Sequence, residues 1–227
     1  MRADGAETRA LLKQQAQRLF AKRGLDGVTI QDIVTAAGQR NSASLRYYFG
    51  TKEALIKELI VDGARLIDEE RQAMLNKMES DGSVTLRNVL YALIEPMLNL
   101  GLKTGEPSYI RMIANLQLNH RRLLRDALDD QWNLGYRRCL AHLRAILNNL
   151  PAELLDQRLS LVGIYGNAAL AAWEANQDAG DGDRLWATES ALPSLVDSFE
   201  SMLMARPSKG TISMLTAPPV RKRKGTK

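Results

Sequence analysis

Apolar residues recur along this chain at every third or fourth position and nowhere in strict alternation, which is the period of helices buried along one side. Between residues 8 and 23, Leu11, Leu12, Ala16, Leu19 and Phe20 share one face, while Lys13, Arg18, Lys22 and Arg23 point away. Residues 1–7 precede the pattern and are read as loose. Ile30, Ile33, Val34 and Ala37 repeat it over a shorter span, and a second short helix is expected over 41–49. From Lys52 the pattern continues to about Met78 through Leu55, Leu59, Ile60, Ala64, Ile67, Met74 and Leu75. A helix of ~26 residues is ~39 Å long, too long to serve a small domain alone, so it is read as a connector. Further helices are expected over 84–103, 108–119, 122–148 and 151–176, and between 185 and 205 with Pro193 near the start of the last. Pro96 should kink or split the helix that contains it. Residues 178–183 read as a polar loop, and 206–227, without periodicity, as a disordered tail. The fold class is all-α.

The stretch from Val28 to Ala54 carries the strongest local signals. Thr29 is a good N-cap, with Asp32 three residues on to meet free backbone N–H groups. Gly38 stands where helices commonly end in a left-handed conformation. The second short helix carries Arg40, Asn41, Ser42, Ser44 and Arg46 on its outward side and turns Ala43, Leu45 and Phe49 inward. Gly50 ends it, and Thr51-Lys-Glu caps the connector. Two short helices around a glycine-containing turn form a helix-turn-helix, whose second helix is expected to enter the major groove of DNA. The predicted core of this three-helix unit is Phe20, Ile33, Val34, Leu45 and Phe49.

The string Thr29-Ile-x-Asp-Ile-Val-x-x-Ala-Gly38 followed by Tyr47-Tyr-Phe-Gly-Thr-Lys-Glu-Ala-Leu55 resembles the N-terminal DNA-binding domain of TetR-family transcriptional regulators. The likeness begins at Thr8-Arg9-x-Leu-Leu, passes through Ala16-x-x-Leu-Phe-Ala-x-x-Gly24 and reaches about Ile60. Between Gly38 and the tyrosine pair the chain is one residue longer than the commonest pattern, with Gln39-Arg40-Asn41 where Val-Ser is usual. The resemblance implies phosphate contacts at Thr29, Tyr47 and Lys52 and base reading over Arg40 to Ser44. With Gln39 and Arg46, these make up the DNA-contact candidates: Arg pairs bidentately with guanine, Asn or Gln with adenine, and hydroxyls hold phosphates.

Charge placement agrees with that reading. The first 50 residues carry eight Lys/Arg against four Asp/Glu, the last 22 carry seven against none, and the middle is acidic although the whole chain is +5. At 227 residues with 45% hydrophobic composition the chain can bury a sizeable core. It has no apolar run of ~18 residues to span a membrane, no signal-peptide pattern at its start, and one cysteine, Cys139, which excludes an intramolecular disulfide. A reduced cytoplasmic location is expected. No Gly-rich phosphate loop, Gly-x-Ser-x-Gly or His-Glu-x-x-His occurs, and His120 and His142 lack metal-ligand spacing, so no enzyme activity, cofactor or metal is expected.

Two further groups are candidates for function. Gly163, Gly166, Asn167, Leu170 and Trp173 fall on one side of a helix, and the last helix carries Leu192, Leu195, Val196, Phe199, Met202 and Leu203. Together they are read as a homodimer interface, because two such helices per subunit build an intermolecular four-helix bundle, which is how the resembling family dimerises. Met97, Tyr109, Met112, Ile113, Leu116, Trp132, Tyr136 and Tyr165 are read as the lining of a small-molecule pocket beside Pro96. The resulting organisation is a DNA-binding domain (1–51), a connecting helix (52–82), a ligand-binding and dimerisation domain (83–205) and a basic tail (206–227). The expected function is a ligand-released regulator of the repressor type, acting on a palindromic operator in double-stranded DNA. The alternative is an architectural DNA-binding protein without an inducer.

Overall fold

A computed structural model describes residues 2–104, 107–128, 132–179, 186 and 188–216. All regular structure among them is helical: α1 (Arg2–Arg23), α2 (Ile30–Ala36), α3 (Ala43–Phe49), α4 (Lys52–Asp81), α5 (Leu86–Thr104), α6 (Tyr109–Asn119), α7 (Arg121–Leu128), α8 (Leu134–Ile146), α9 (Ala152–Ala179), α10 (Ala191–Met204) and α11 (Lys209–Thr216).

The N-terminal unit folds around its apolar stripe. Leu12, Ala16, Phe20, Ile33, Val34, Leu45 and Phe49 are buried together, and burial of each large side chain stabilises by about 1.5–3 kcal/mol. On its flank Arg9 and Lys13 of α1 hold Glu58 of α4 at 2.6 and 2.8 Å, and Lys13 also meets Asp62. Burial pushes the Glu58 carboxyl up, but those two cations outweigh it and leave the group below its ordinary range.

The 30 residues of α4 make a rod of about 45 Å. Its first turns belong to the small unit and the remainder packs against α5, α7 and α8. In turn, α6 lies between α1 and α9. Tyr109 closes this junction by donating its hydroxyl to the Ile60 carbonyl at 2.8 Å, with its ring seated on Gly63. Glu174, wholly buried on α9, accepts from the N–H groups of Ile110 and Arg111 at 3.0 and 2.9 Å. That satisfies donors which the first turn of α6 leaves without partners. The N-terminal unit is tied to this body by Gln17 to Ser108 (2.9 Å), Lys22 to Asp178 (3.3 Å) and His120 to Asp26 (3.2 Å).

Several sequence expectations change. Helix α1 begins at Arg2, so the segment read as loose is helical. The helix expected over 122–148 is two, α7 and α8, with Asn133 as the N-cap of the second. Asp178 and Ala179, assigned to a loop, still lie in α9, where Arg111 and Lys22 hold Asp178; the rest of that loop, 180–183, lies outside the described residues. Residues 209–216, expected to be disordered, form α11. The basic stretch at 221–224 lies outside the described residues.

Pro96 does not split α5. Proline has no N–H, so the carbonyl four residues earlier, that of Ala92, loses its helical partner. The guanidinium of Arg71 on α4 replaces it: Nε donates to the Ala92 oxygen at 3.1 Å and Nη2 to the Leu93 oxygen at 2.8 Å. A long-range side chain thus makes good a local defect.

Candidate nucleic-acid interface

The helix-turn-helix is assembled by short-range hydrogen bonds. Thr29 and Asp32 form a reciprocal capping box: the Thr29 hydroxyl accepts from the Asp32 N–H at 3.1 Å, and the Asp32 carboxylate accepts from the Thr29 N–H at 2.7 Å. The side-chain and backbone hydrogen bonds from Thr29 hold the Asp32 carboxyl below its ordinary range, with Arg23 and Lys52 adding to the effect. At the other end Gly38 adopts φ +67°, its N–H reaches the Thr35 oxygen at 3.0 Å, and Gln39 N–H reaches Val34 oxygen at 2.9 Å. This double closure needs a left-handed residue, which glycine supplies without a Cβ clash.

The chain then turns at once into α3. Asn41 caps it, accepting from the Ala43 N–H at 2.9 Å through Oδ1, and its carbonyl accepts from the Ser44 hydroxyl at 2.8 Å. Leu45 and Phe49 anchor the inner side; Arg40, Asn41, Arg46 and Tyr47 are exposed, and Ser42 and Ser44 half-buried. Tyr47 is 83% exposed and stands edge-on to Tyr48 at 5.0 Å. Between Asp32 and Glu53 there are three cationic side chains and no carboxylate. A projecting helix with guanidinium, amide and hydroxyl groups on a face free of negative charge suits the edges and phosphates of a duplex.

The structure therefore brings Gln39 to Tyr47 together on one turn-and-helix unit, with Thr29 at the start of α2. Lys52 is placed differently from the phosphate role expected of it. Its ammonium turns inward, donating to the Leu25 and Val28 carbonyls at 2.6 and 2.5 Å and lying 5.5 Å from the Phe20 ring centre. It fastens the loop entering α2. The pull on Lys52 comes from carbonyls 24 and 27 residues upstream in the chain, which sequence spacing does not reveal.

Among the residues proposed for a pocket, Met97, Tyr109, Ile113, Trp132 and Tyr136 line one cavity of about 290 Å³. Met112 and Leu116 are fully buried core instead, and Tyr165 is exposed and set edge-on to Phe199 at 5.6 Å.

The residues read as a dimer interface pack within their own chain. A Cβ on Gly166 would stand 3.0 Å from Phe199 Cζ, and one on Gly163 3.9 Å from the Tyr136 hydroxyl. Asn167 donates to Gln117 on α6 at 2.5 Å, and the Trp173 ring covers Gly101 of α5. Leu170, Leu195 and Phe199 are buried and Met202 packs on the same core. The face of α9 that remains open carries Leu161, Ile164 and Tyr165, 54, 39 and 42% exposed.

Cys139 is buried, and burial pushes its thiol up to about 11, which leaves it protonated and unreactive at neutral pH. His142 pairs with Glu79 at 2.8 Å. Among the described residues no helix is long and apolar enough to cross a membrane.

Residues 13–59 match the family described as bacterial regulatory proteins, tetR family. No curated protein matches the chain.

Proposed function

We propose, from the premise that the N-terminal domain belongs to the tetR family of bacterial regulatory proteins, that this DNA-binding transcriptional regulator works as a homodimeric repressor which leaves its operator when a small molecule fills the body of each subunit. The observation that carries the reading is the projecting helix α3, exposed at Arg40, Asn41, Arg46 and Tyr47 and free of carboxylates. One such helix makes few contacts. A two-fold pair reading half-sites roughly 34–36 Å apart, or a multiple of that, supplies the missing affinity and makes the operator palindromic.

Dimerisation through the open face of α9 supports this arrangement, since Leu161, Ile164 and Tyr165 form an exposed apolar ridge that is unfavourable in water. Ligand response is supported by the cavity and by its walls. Tyr109 and Ile113 belong to α6, the helix that packs on α1 of the DNA-side unit. A ligand that shifts α6 would change the separation of the two reading heads, and the coupling would be reciprocal.

The test is recovery of genomic fragments bound by the purified protein, followed by footprinting. One short palindrome beside a promoter is expected. Many dispersed sites without a shared sequence would instead make the protein an organiser of DNA. Tyr47→Ala is expected to weaken binding to all sequences alike at an unchanged salt slope, because a neutral hydroxyl on a phosphate releases no counterion; an unchanged affinity would remove Tyr47 from the phosphate contacts.

A further inference from the structure

The cavity is close to the lower limit of the roughly 300–1,000 Å³ of small-molecule sites, at about 290 Å³, and its walls include Leu93, Met97, Ile113, Trp132 and Phe199. Such a lining selects a compact apolar body. Set into it is one cation. Arg71 lines the cavity and is 6% exposed.

A guanidinium has five N–H donors in a planar fork, and the Ala92 and Leu93 carbonyls engage two of its nitrogens. No carboxylate forms an ion pair with it among the described residues. Asp68, one turn earlier on α4, spends its oxygens on the Gly135 N–H and the Gln72 amide, each at 2.7 Å. A cation withdrawn from water without a directly paired carboxylate is costly, and the field of Asp68 offsets only part of that cost. The second polar feature is Asn133, which lines the same cavity and whose Oδ1 is buried without a hydrogen-bond partner. A buried acceptor left unpaired is destabilising and calls for a donor.

We propose that the cavity takes a small apolar acid. Its carboxylate pairs with the Arg71 fork, its aliphatic or aromatic body fills the space toward Trp132 and Phe199, and a hydroxyl or N–H where present satisfies Asn133. This rests on the ligand-responsive reading above and narrows it to an anionic ligand. The geometry also gives the acid leverage. Arg71 replaces the hydrogen bond that Pro96 cannot make, so a carboxylate that draws the guanidinium off the Ala92 and Leu93 carbonyls acts on α4 and α5 together. The α4 rod leads directly to the helix-turn-helix.

The test uses the full chain and matched probes differing only in charge: octanoate against octanamide, and phenylacetate against phenylacetamide, followed by thermal shift and calorimetry. The acid of at least one pair should bind about ten-fold tighter than its amide or better, the range of a charge-assisted hydrogen bond. Arg71→Gln should abolish that preference. If Arg71→Gln does not fold, Ile113→Trp, which fills the cavity and leaves the arginine in place, should remove acid binding. Equal binding of acid and amide, no binding of either acid, or acid binding that survives Ile113→Trp would each overturn the proposal. Operator binding measured on the same samples separates the two failures. A protein that grips its DNA site but ignores both acids remains a regulator with a different ligand, whereas one that binds acids but no DNA site loses the regulator reading.

Discussion

Gly63 sets two physical effects of opposite sign against each other. It lies within α4, where alanine is favoured over glycine by about 1 kcal/mol. Yet a Cβ there would stand 2.2 Å from Cε2, 2.3 Å from Cζ and 2.7 Å from Cδ2 of Tyr109. Carbon atoms attract best at about 3.5–4.0 Å, so the ring must withdraw by more than about 1 Å. The ring is 5% exposed and borders the cavity, but its hydroxyl is held on the Ile60 carbonyl, so it can withdraw only at the expense of that hydrogen bond. Overpacking of this kind costs about 1–3 kcal/mol, and losing the tyrosine hydrogen bond costs about 1 kcal/mol more. Steric conflict therefore wins, and Gly63→Ala should lose about 1–3 kcal/mol net. Urea unfolding followed by circular dichroism reads this as a lower midpoint at unchanged slope. In a Tyr109→Leu background the same substitution should lose most of its cost, because the two residues touch and their effects are not additive. A Gly63→Ala protein as stable as the parent or more so would refute the close packing of α6 on α4.

Lys52→Met should lower stability by about 1–3 kcal/mol by freeing the Leu25 and Val28 carbonyls; unchanged melting with a smaller salt slope for DNA binding would return Lys52 to the phosphate contacts. Asp32, held below its ordinary pKa of 3.8 by Thr29, contributes stability above its unfolded pKa that is lost as pH falls through the folded one. Asp32→Asn should thus flatten the acid side of the melting profile, and a profile as steep as the parent's would discount the capping box. Leu161→Glu on the open face of α9 should give monomers in sedimentation with little change in melting, while Gly166→Val, pressed against Phe199, should lower the melting temperature of the subunit. An intact dimer for Leu161→Glu would exclude that face.

Local hydrogen bonding accounts for how much the residue order alone determined. The capping box at Thr29 and Asp32, the left-handed close at Gly38, the burial of Phe20, Ile33, Val34, Leu45 and Phe49 and the exposure of Tyr47 all depend on neighbours within one or two helical turns, or on a single apolar stripe. The all-helical class and the helix-turn-helix follow from the same local rules. Tertiary structure alone decided the rest. Over residues 159–173 helix α9 is apolar nearly all round, with Leu159 and Val162 inside and Leu161, Ile164 and Tyr165 outside, so periodicity did not tell its core face from its open one. The pairings of Lys52 with Val28, Arg71 with Ala92 and Glu174 with Ile110 span 24, 21 and 64 residues. Proline at position 96 announced a kink or split, but only the packing of α4 on α5 brought the Arg71 guanidinium to the Ala92 carbonyl and kept the helix whole, because partners so far apart in the chain meet only when whole helices dock.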